Sequence, residues 1–250
     1  MRLLRLVRRD TIIGFRTLGG VTLSLVLTLV LYIFVASLSY NSIVVKLRVM
    51  GRAINYVEFL APGLAAIAVA ETSFIMGSLY WIDRRVGMFE QLVAGPFTRE
   101  EYAASKILTA AIYSLAYTAL TIALVSLLSP CTGLEMLRTL LATPIASTLF
   151  ASMGLCAATR VRSPESYNML INTVLIPLFL LSPAYYPLQA MPTPIRCIAL
   201  ANPLTYVVEA FRSLMLAPER VLKPLTIVTT MAAVLTVLAL AMFRRMEVTD

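Results

Sequence analysis

Long apolar runs alternate with short polar interruptions along this chain, and the runs set its architecture. A membrane-crossing helix needs about 20 mostly apolar residues. Such runs lie near 18–38, 59–79, 107–128, 139–158, 169–184 and 225–243, the fifth being the shortest. Open sheet edges have no place in hydrocarbon, where each segment must satisfy its own backbone N–H and C=O groups. The pattern predicts an all-α polytopic membrane protein with six transmembrane helices, in one domain over 1–250.

The interruption at 81–106, WIDRRVGMFEQLVAGPFTREEYAASK, is more than a loop. Val86, Met88, Phe89, Leu92 and Val93 recur at helical spacing, while Asp83, Arg84, Arg85, Glu90 and Gln91 form the polar side. Gly95-Pro96 ends the short helix, because proline disfavours a helical residue before it and cannot continue the ladder. Thr98 with Glu101 three residues on is a capping box that opens the next helix. The segment 83–97 therefore predicts a lateral amphipathic helix, and with it a docking surface.

Two other segments carry their own signals. Between the fifth and sixth runs, Thr193-Pro194 and Asn202-Pro203 each pair an N-cap residue with proline at the first helical position. They predict helices near 194–200 and 203–216 within an outer re-entrant hairpin over 185–217. Both are too short to span and too apolar for water, so they should dip into the outer leaflet or pack over the bundle. Pro183 and Pro187 shape its start, and Tyr185, Tyr186 and Tyr206 suit an interface. At the N-terminus, Arg2, Arg5, Arg9 and Arg16 share one face of a helix over 1–16, with Leu3, Leu6, Val7 and Ile13 largely elsewhere. That pattern predicts a helix in the inner headgroup layer with its arginines toward anionic lipid. An unstructured basic anchor that only sets topology is the simpler alternative.

Composition fits the membrane reading: 59% hydrophobic, 14% charged, with a mean hydropathy of +0.84. A net charge of +8 would suit nucleic acid, yet the basic residues sit beside the apolar runs, where they set orientation. With the N-terminus inside, 13 of the 21 Lys and Arg fall on the inner side, most densely at the ends. Both termini are expected in the cytoplasm of a multi-pass plasma-membrane protein, with lipid and no nucleic acid as its surroundings. A cleaved signal peptide is not expected, because the first run is too long for an h-region.

Chemistry is informative by absence. The sequence never contains Gly-Lys, so it has no G-x-x-x-x-G-K-[ST] phosphate loop and hydrolyses no ATP alone. It has no His, and Cys131, Cys156 and Cys197 lack paired metal spacing, so no metal or catalytic residue is expected. Cys131 and Cys197 share the outer side; a disulfide is open to them, though free thiols are expected. Glu71 lies well inside the second run, at a cost of roughly 2.5–3.5 kcal/mol. It is either a substrate or proton contact, or a neutral carboxyl bonded to Ser or Thr of a neighbouring helix. Glu58 sits at the outer end of the same run, as an interfacial residue.

GMFEQLVAGPFTREEYAASKIL after the second run resembles the permeases of type-2 ATP-binding-cassette (ABC) exporters. FLLSPAYYPLQAMP and NPLTYVVEAFR resemble the last third of that family, and the likeness follows the order of elements along nearly the whole chain. The resemblance implies that 86–95 is a coupling helix seated in a cleft of a separate ATPase subunit, with Arg85, Met88, Phe89, Glu90, Leu92 and Val93 as contacts. It implies that the N-terminal helix also touches that subunit, and that Asn202 and Pro203 open an outer helix roofing the path. The working unit would be two permeases, of this chain or a homologue, plus two ATPases that bind ATP and Mg; this chain binds no cofactor.

Three function classes follow: an exporter permease for a lipid-like, drug-like or glycan substrate, a secondary ion-coupled transporter, and an intramembrane enzyme. A secondary transporter would need inverted repeats and several buried charges, where only Glu71 is evident. An enzyme would need matched acid–base or nucleophile groups, and the runs hold none.

Overall fold

The computed structural model describes residues 2–17, 27, 30–31, 47–49, 52–127 and 133–245. Most of the first apolar run and Cys131 lie outside the described residues. In order, the elements are α1 (Arg2–Thr17), β1 (Leu47–Val49), β2 (Arg52–Ile54), α2 (Tyr56–Ile75), α3 (Ser78–Arg85) and α4 (Met88–Ala94). There follow α5 (Arg99–Ser126), α6 (Gly133–Ala158), α7 (Pro164–Leu180), α8 (Thr193–Ala201), α9 (Pro203–Leu216) and α10 (Leu222–Arg245).

Among the described residues, the regular structure is helical apart from one antiparallel hairpin, β1–β2, in which Leu47 pairs with Ile54 just before α2. The hairpin falls between the first two apolar runs, and every span candidate among the described residues is helical. Among the described residues, four stretches are long and apolar enough to cross a membrane: Tyr56–Arg85, Arg99–Ser126, Gly133–Ala158 and Leu222–Arg245. The fifth run is also helical, but it is displaced from the expected 169–184. The Ser163 hydroxyl caps it by accepting from Ser166 N–H, and Pro164 takes the first turn. Pro183 disfavours a helical Ser182, so α7 closes at Leu180.

α2 is the hub. Its Phe59, Leu60, Ala65, Ala66, Val69 and Ala70 are all buried, and it packs against α5, α6 and α9. Small residues allow that closeness, as they do between membrane helices generally. A Cβ at Gly63 would stand 2.5 Å from the Ala184 carbonyl oxygen. At the crossing of α2, α5 and α6, the hydroxyls of Ser73, Ser114 and Ser147 bond one another at 2.8–3.2 Å, each fully buried.

Below this crossing the helix breaks at Met76–Gly77 and resumes as α3. Tyr167 of α7 fills the break, its hydroxyl shared between the carbonyls of Phe74 at 2.8 Å and Gly154 at 3.2 Å. A Cβ on Gly77 would meet the Tyr167 hydroxyl oxygen at 2.1 Å, so glycine is required there.

The two short helices expected between the fifth and sixth runs form as α8 and α9. Asn202 caps α9 as expected, accepting from Leu204 N–H at 2.9 Å, while its amide donates to the Leu178 carbonyl at 2.7 Å. The cap expected at Thr193 is not made: the helix begins at Thr193 itself, behind Pro192. Proline at 192 already supplies a fixed φ there and leaves no side-chain oxygen to cap.

Candidate functional site

The candidate region lies where α1, α3, α4 and α5 meet. Thr98 and Glu101 make the reciprocal capping box: Glu101 N–H donates to Thr98 Oγ1 at 3.1 Å and Thr98 N–H to Glu101 Oε2 at 2.9 Å. This starts α5 at Arg99 and sets its phase, so that Tyr102, Ser105 and Lys106 all face inward. Gly87 adopts φ +65°, the left-handed region that favours glycine, and turns the chain from α3 into α4. The backbone at Gly95 is extended, and α4 stops at Ala94 before Pro96.

Inside this corner sits a charge cluster. Lys106 Nζ lies 2.7 Å from Asp83 Oδ2 and 3.0 Å from Asp10 Oδ1, with the Lys106 and Asp10 side chains 1% exposed and that of Asp83 4%. Tyr102 OH donates to Asp83 Oδ2 at 2.7 Å and Ser105 Oγ donates to Asp10 Oδ2 at 2.8 Å. Arg9 of α1 donates to the other oxygen of Asp83. Two cations oppose two carboxylates, so the cluster is neutral. An unpaired charge at this depth would be prohibitive, and mutual pairing makes the burial tolerable. The cluster joins α1, α3 and α5 at one point.

Aromatic rings fix α4 beside it. Phe89 is 3% exposed and meets Tyr80 edge-on at 5.3 Å and Tyr102 at 5.1 Å. Phe243 of α10 closes the group against Tyr80 at 5.5 Å. Such edge-to-face pairs each add about 0.5–1.5 kcal/mol beyond area burial.

These contacts revise the expectation for the segment 83–97. Val86 stands outside α4, in the turn before it, and is exposed. The apolar stripe turns toward the chain's own bundle: Phe89 is buried, Leu92 and Val93 pack against the same core, and Met88 and Glu90 are half-buried. Phe89 is thus an internal anchor, because its own aromatic neighbours already enclose it. What α4 and its flanks present outward is Arg85, Val86, Gln91, Ala94, Gly95 and Pro96.

The N-terminal helix is corrected in the same sense. Arg5 is exposed as expected, and Arg2 begins α1. Arg9 turns inward to Asp83, because Leu6, Val7, Asp10 and Gly14 form the face that packs on α5. Tyr113 OH donates to the Thr11 carbonyl at 2.8 Å, and a Cβ on Gly14 would meet that hydroxyl at 2.8 Å.

The remaining candidates are dispersed. Glu71 is half-buried on α2 and makes no hydrogen bond or ion pair among the described residues. Tyr185 lends its carbonyl to Tyr56 OH at 3.2 Å, Tyr186 is exposed, and Tyr206 OH donates to the Leu200 carbonyl at 2.7 Å. Pro203 opens α9. Among the described residues no group of His, Cys, Asp or Glu has the spacing to hold a metal.

Sequence reasoning missed Asp10, Asp83 and Lys106 as a unit, and Arg212 entirely. Arg212 is 4% exposed on α9, donates to the Pro183 carbonyl at 2.8 Å and lies 4.0 Å from the Phe59 ring centre. A signal for the cluster was present: Asp10 is the one acidic residue among the arginines of α1.

Comparison of the sequence with curated proteins finds no significant match. A family model for the ABC-2 type transporter matches residues 1–216, a stretch that includes α1, α3, α4 and α5. The matched domain is a membrane permease component of ABC transporters. With more than half its length covered by that model, the chain belongs to the ABC-2 type transporter family.

Proposed function

We propose that this chain is the membrane-spanning permease subunit of an ATP-driven exporter, energised by a separate ATPase subunit that holds ATP and Mg. In this reading the chain crosses the plasma membrane six times with both termini in the cytoplasm. It works as a pair, with itself or a homologue, on a lipid-like, drug-like or glycan substrate. α4 is the coupling element and α1 its neighbour at the same membrane face.

The observation that carries the reading is the attachment of α4. A permease without its own ATPase needs a rigid element that receives force at the surface and passes it inward. Phe89 is locked among Tyr80, Tyr102 and Phe243, while Gln91 and Ala94 face out. Asp83, five residues before Met88, is tied through Lys106 to α5 and through Arg9 to α1. A push on the outward face of α4 would therefore move three helices together. Glu71, on the hub helix, is the candidate contact in the path, and Tyr185, Tyr186 and the α8–α9 pair roof its outer end.

Affinity purification of the full chain from its native membrane tests the reading. Recovery of an ABC-type ATPase in the complex is the expected result. A transport-active preparation with no ATPase would overturn it.

A further inference from the structure

A surface cavity of about 260 Å³ lies where the end of α3 meets the start of α7, lined by Trp81, Arg84, Arg85, Pro164 and Glu165. Trp81 is 8% exposed and forms part of the wall.

The charges around it are set for an anion. Arg84 Nη1 donates to Tyr80 OH at 3.0 Å, and its guanidinium carbon lies 5.8 Å from the Trp81 ring centre, which holds the side chain at the cavity. Arg85 and Glu165 pair at 3.2 Å on the rim, both largely exposed. The Glu165 carboxyl is held below the usual range, chiefly by a hydrogen bond to its own backbone; desolvation opposes this, and the Ser163 hydroxyl and Arg85 add smaller lowering effects. It is ionised at neutral pH. Two guanidinium groups thus face one carboxylate, leaving one positive charge in excess.

The level in the membrane fits. Trp81 follows the second apolar run by two residues, where aromatic belts and headgroups occur, and basic pockets between membrane helices take anionic headgroups. We propose that this cavity binds a phosphate group, with the Arg84 guanidinium donating to its oxygens beside the Trp81 ring and Arg85 leaving Glu165 to close over it. A fork of guanidinium donors matches phosphate oxygens two at a time. The cavity is larger than a phosphate alone, which suits a phospholipid headgroup. This proposal stands independently of the ATPase partner.

Trp81 is the only tryptophan of the chain, so its fluorescence reports the cavity directly. The full chain in neutral detergent is titrated with phosphatidylglycerol and, separately, with inorganic phosphate. A saturable change in Trp81 emission is expected. Response to phosphatidylglycerol alone identifies a lipid site, and an equal response to inorganic phosphate identifies a soluble one. Arg84→Ala should raise the midpoint about tenfold, the loss of one charge-assisted hydrogen bond. Glu165→Gln should lower the midpoint severalfold by freeing Arg85, an opposite sign that mere structural damage does not produce. Because Glu165 is exposed, that variant keeps the test decisive if Arg84→Ala does not fold. No saturable change with either ligand, or an unshifted midpoint in Glu165→Gln, overturns the proposal.

Discussion

Lys106 of α5 and Asp83 of α3 meet at 2.7 Å with both side chains nearly excluded from solvent. That pair fixes the corner where α1, α3 and α5 meet through residues distant in sequence: the two are 23 positions apart, and their third partner, Asp10, is further still. Their burial is affordable only as a set. Lys106→Met leaves Asp83 and Asp10 with Arg9 alone, and should destabilise by about 3–5 kcal/mol. Lys106→Met with Asp83→Asn restores neutrality through the remaining Arg9 and Asp10, and should recover more than half of that loss. Thermal unfolding in detergent measures both. Costs that simply add would show that the groups are not coupled.

Tyr167 and Gly77 make a second test, at the break between α2 and α3. Gly77→Ala would place a methyl 2.1 Å from the Tyr167 hydroxyl and 2.7 Å from the Gly154 carbonyl. Overpacking of this kind costs on the order of 1–3 kcal/mol. Tyr167→Phe in the same chain removes the nearer clash and should return part of the stability. If the double variant is no better than Gly77→Ala, the hydroxyl is not what demands glycine.

Glu71 tests the path. As a substrate or proton contact it predicts that Glu71→Gln lowers transport or substrate-stimulated ATPase activity while membrane abundance is unchanged. Since it bonds no neighbouring Ser or Thr among the described residues, its removal breaks no such contact. Full activity in both Glu71→Gln and Glu71→Leu would retire the contact role.

Local features of this chain were legible and tertiary ones were not. The Thr98–Glu101 box, the stop at Gly95-Pro96 and the Asn202 cap depend on residues within a few positions, and each forms as its spacing predicts. Apolar runs marked the span candidates because length and composition alone decide them. The direction of the α4 stripe was not readable. Helical periodicity reveals an apolar face but not whether that face meets a partner or the chain's own aromatics, and Phe89 meets Tyr80 and Tyr102. Arg9 was misassigned for a related reason: its place among arginines suggested lipid, while a carboxylate 74 positions away set its direction. The fifth helix shifted because Ser163 and Pro164 are start signals as strong as those noted elsewhere.

The most direct test of the account is crosslinking from the two faces of α4. A photoreactive residue at Gln91, which is exposed, should capture the ATPase subunit, and one at Phe89, which is enclosed, should react within the permease. Capture of lipid alone from position 91, or capture of the ATPase from position 89 but not 91, would contradict it.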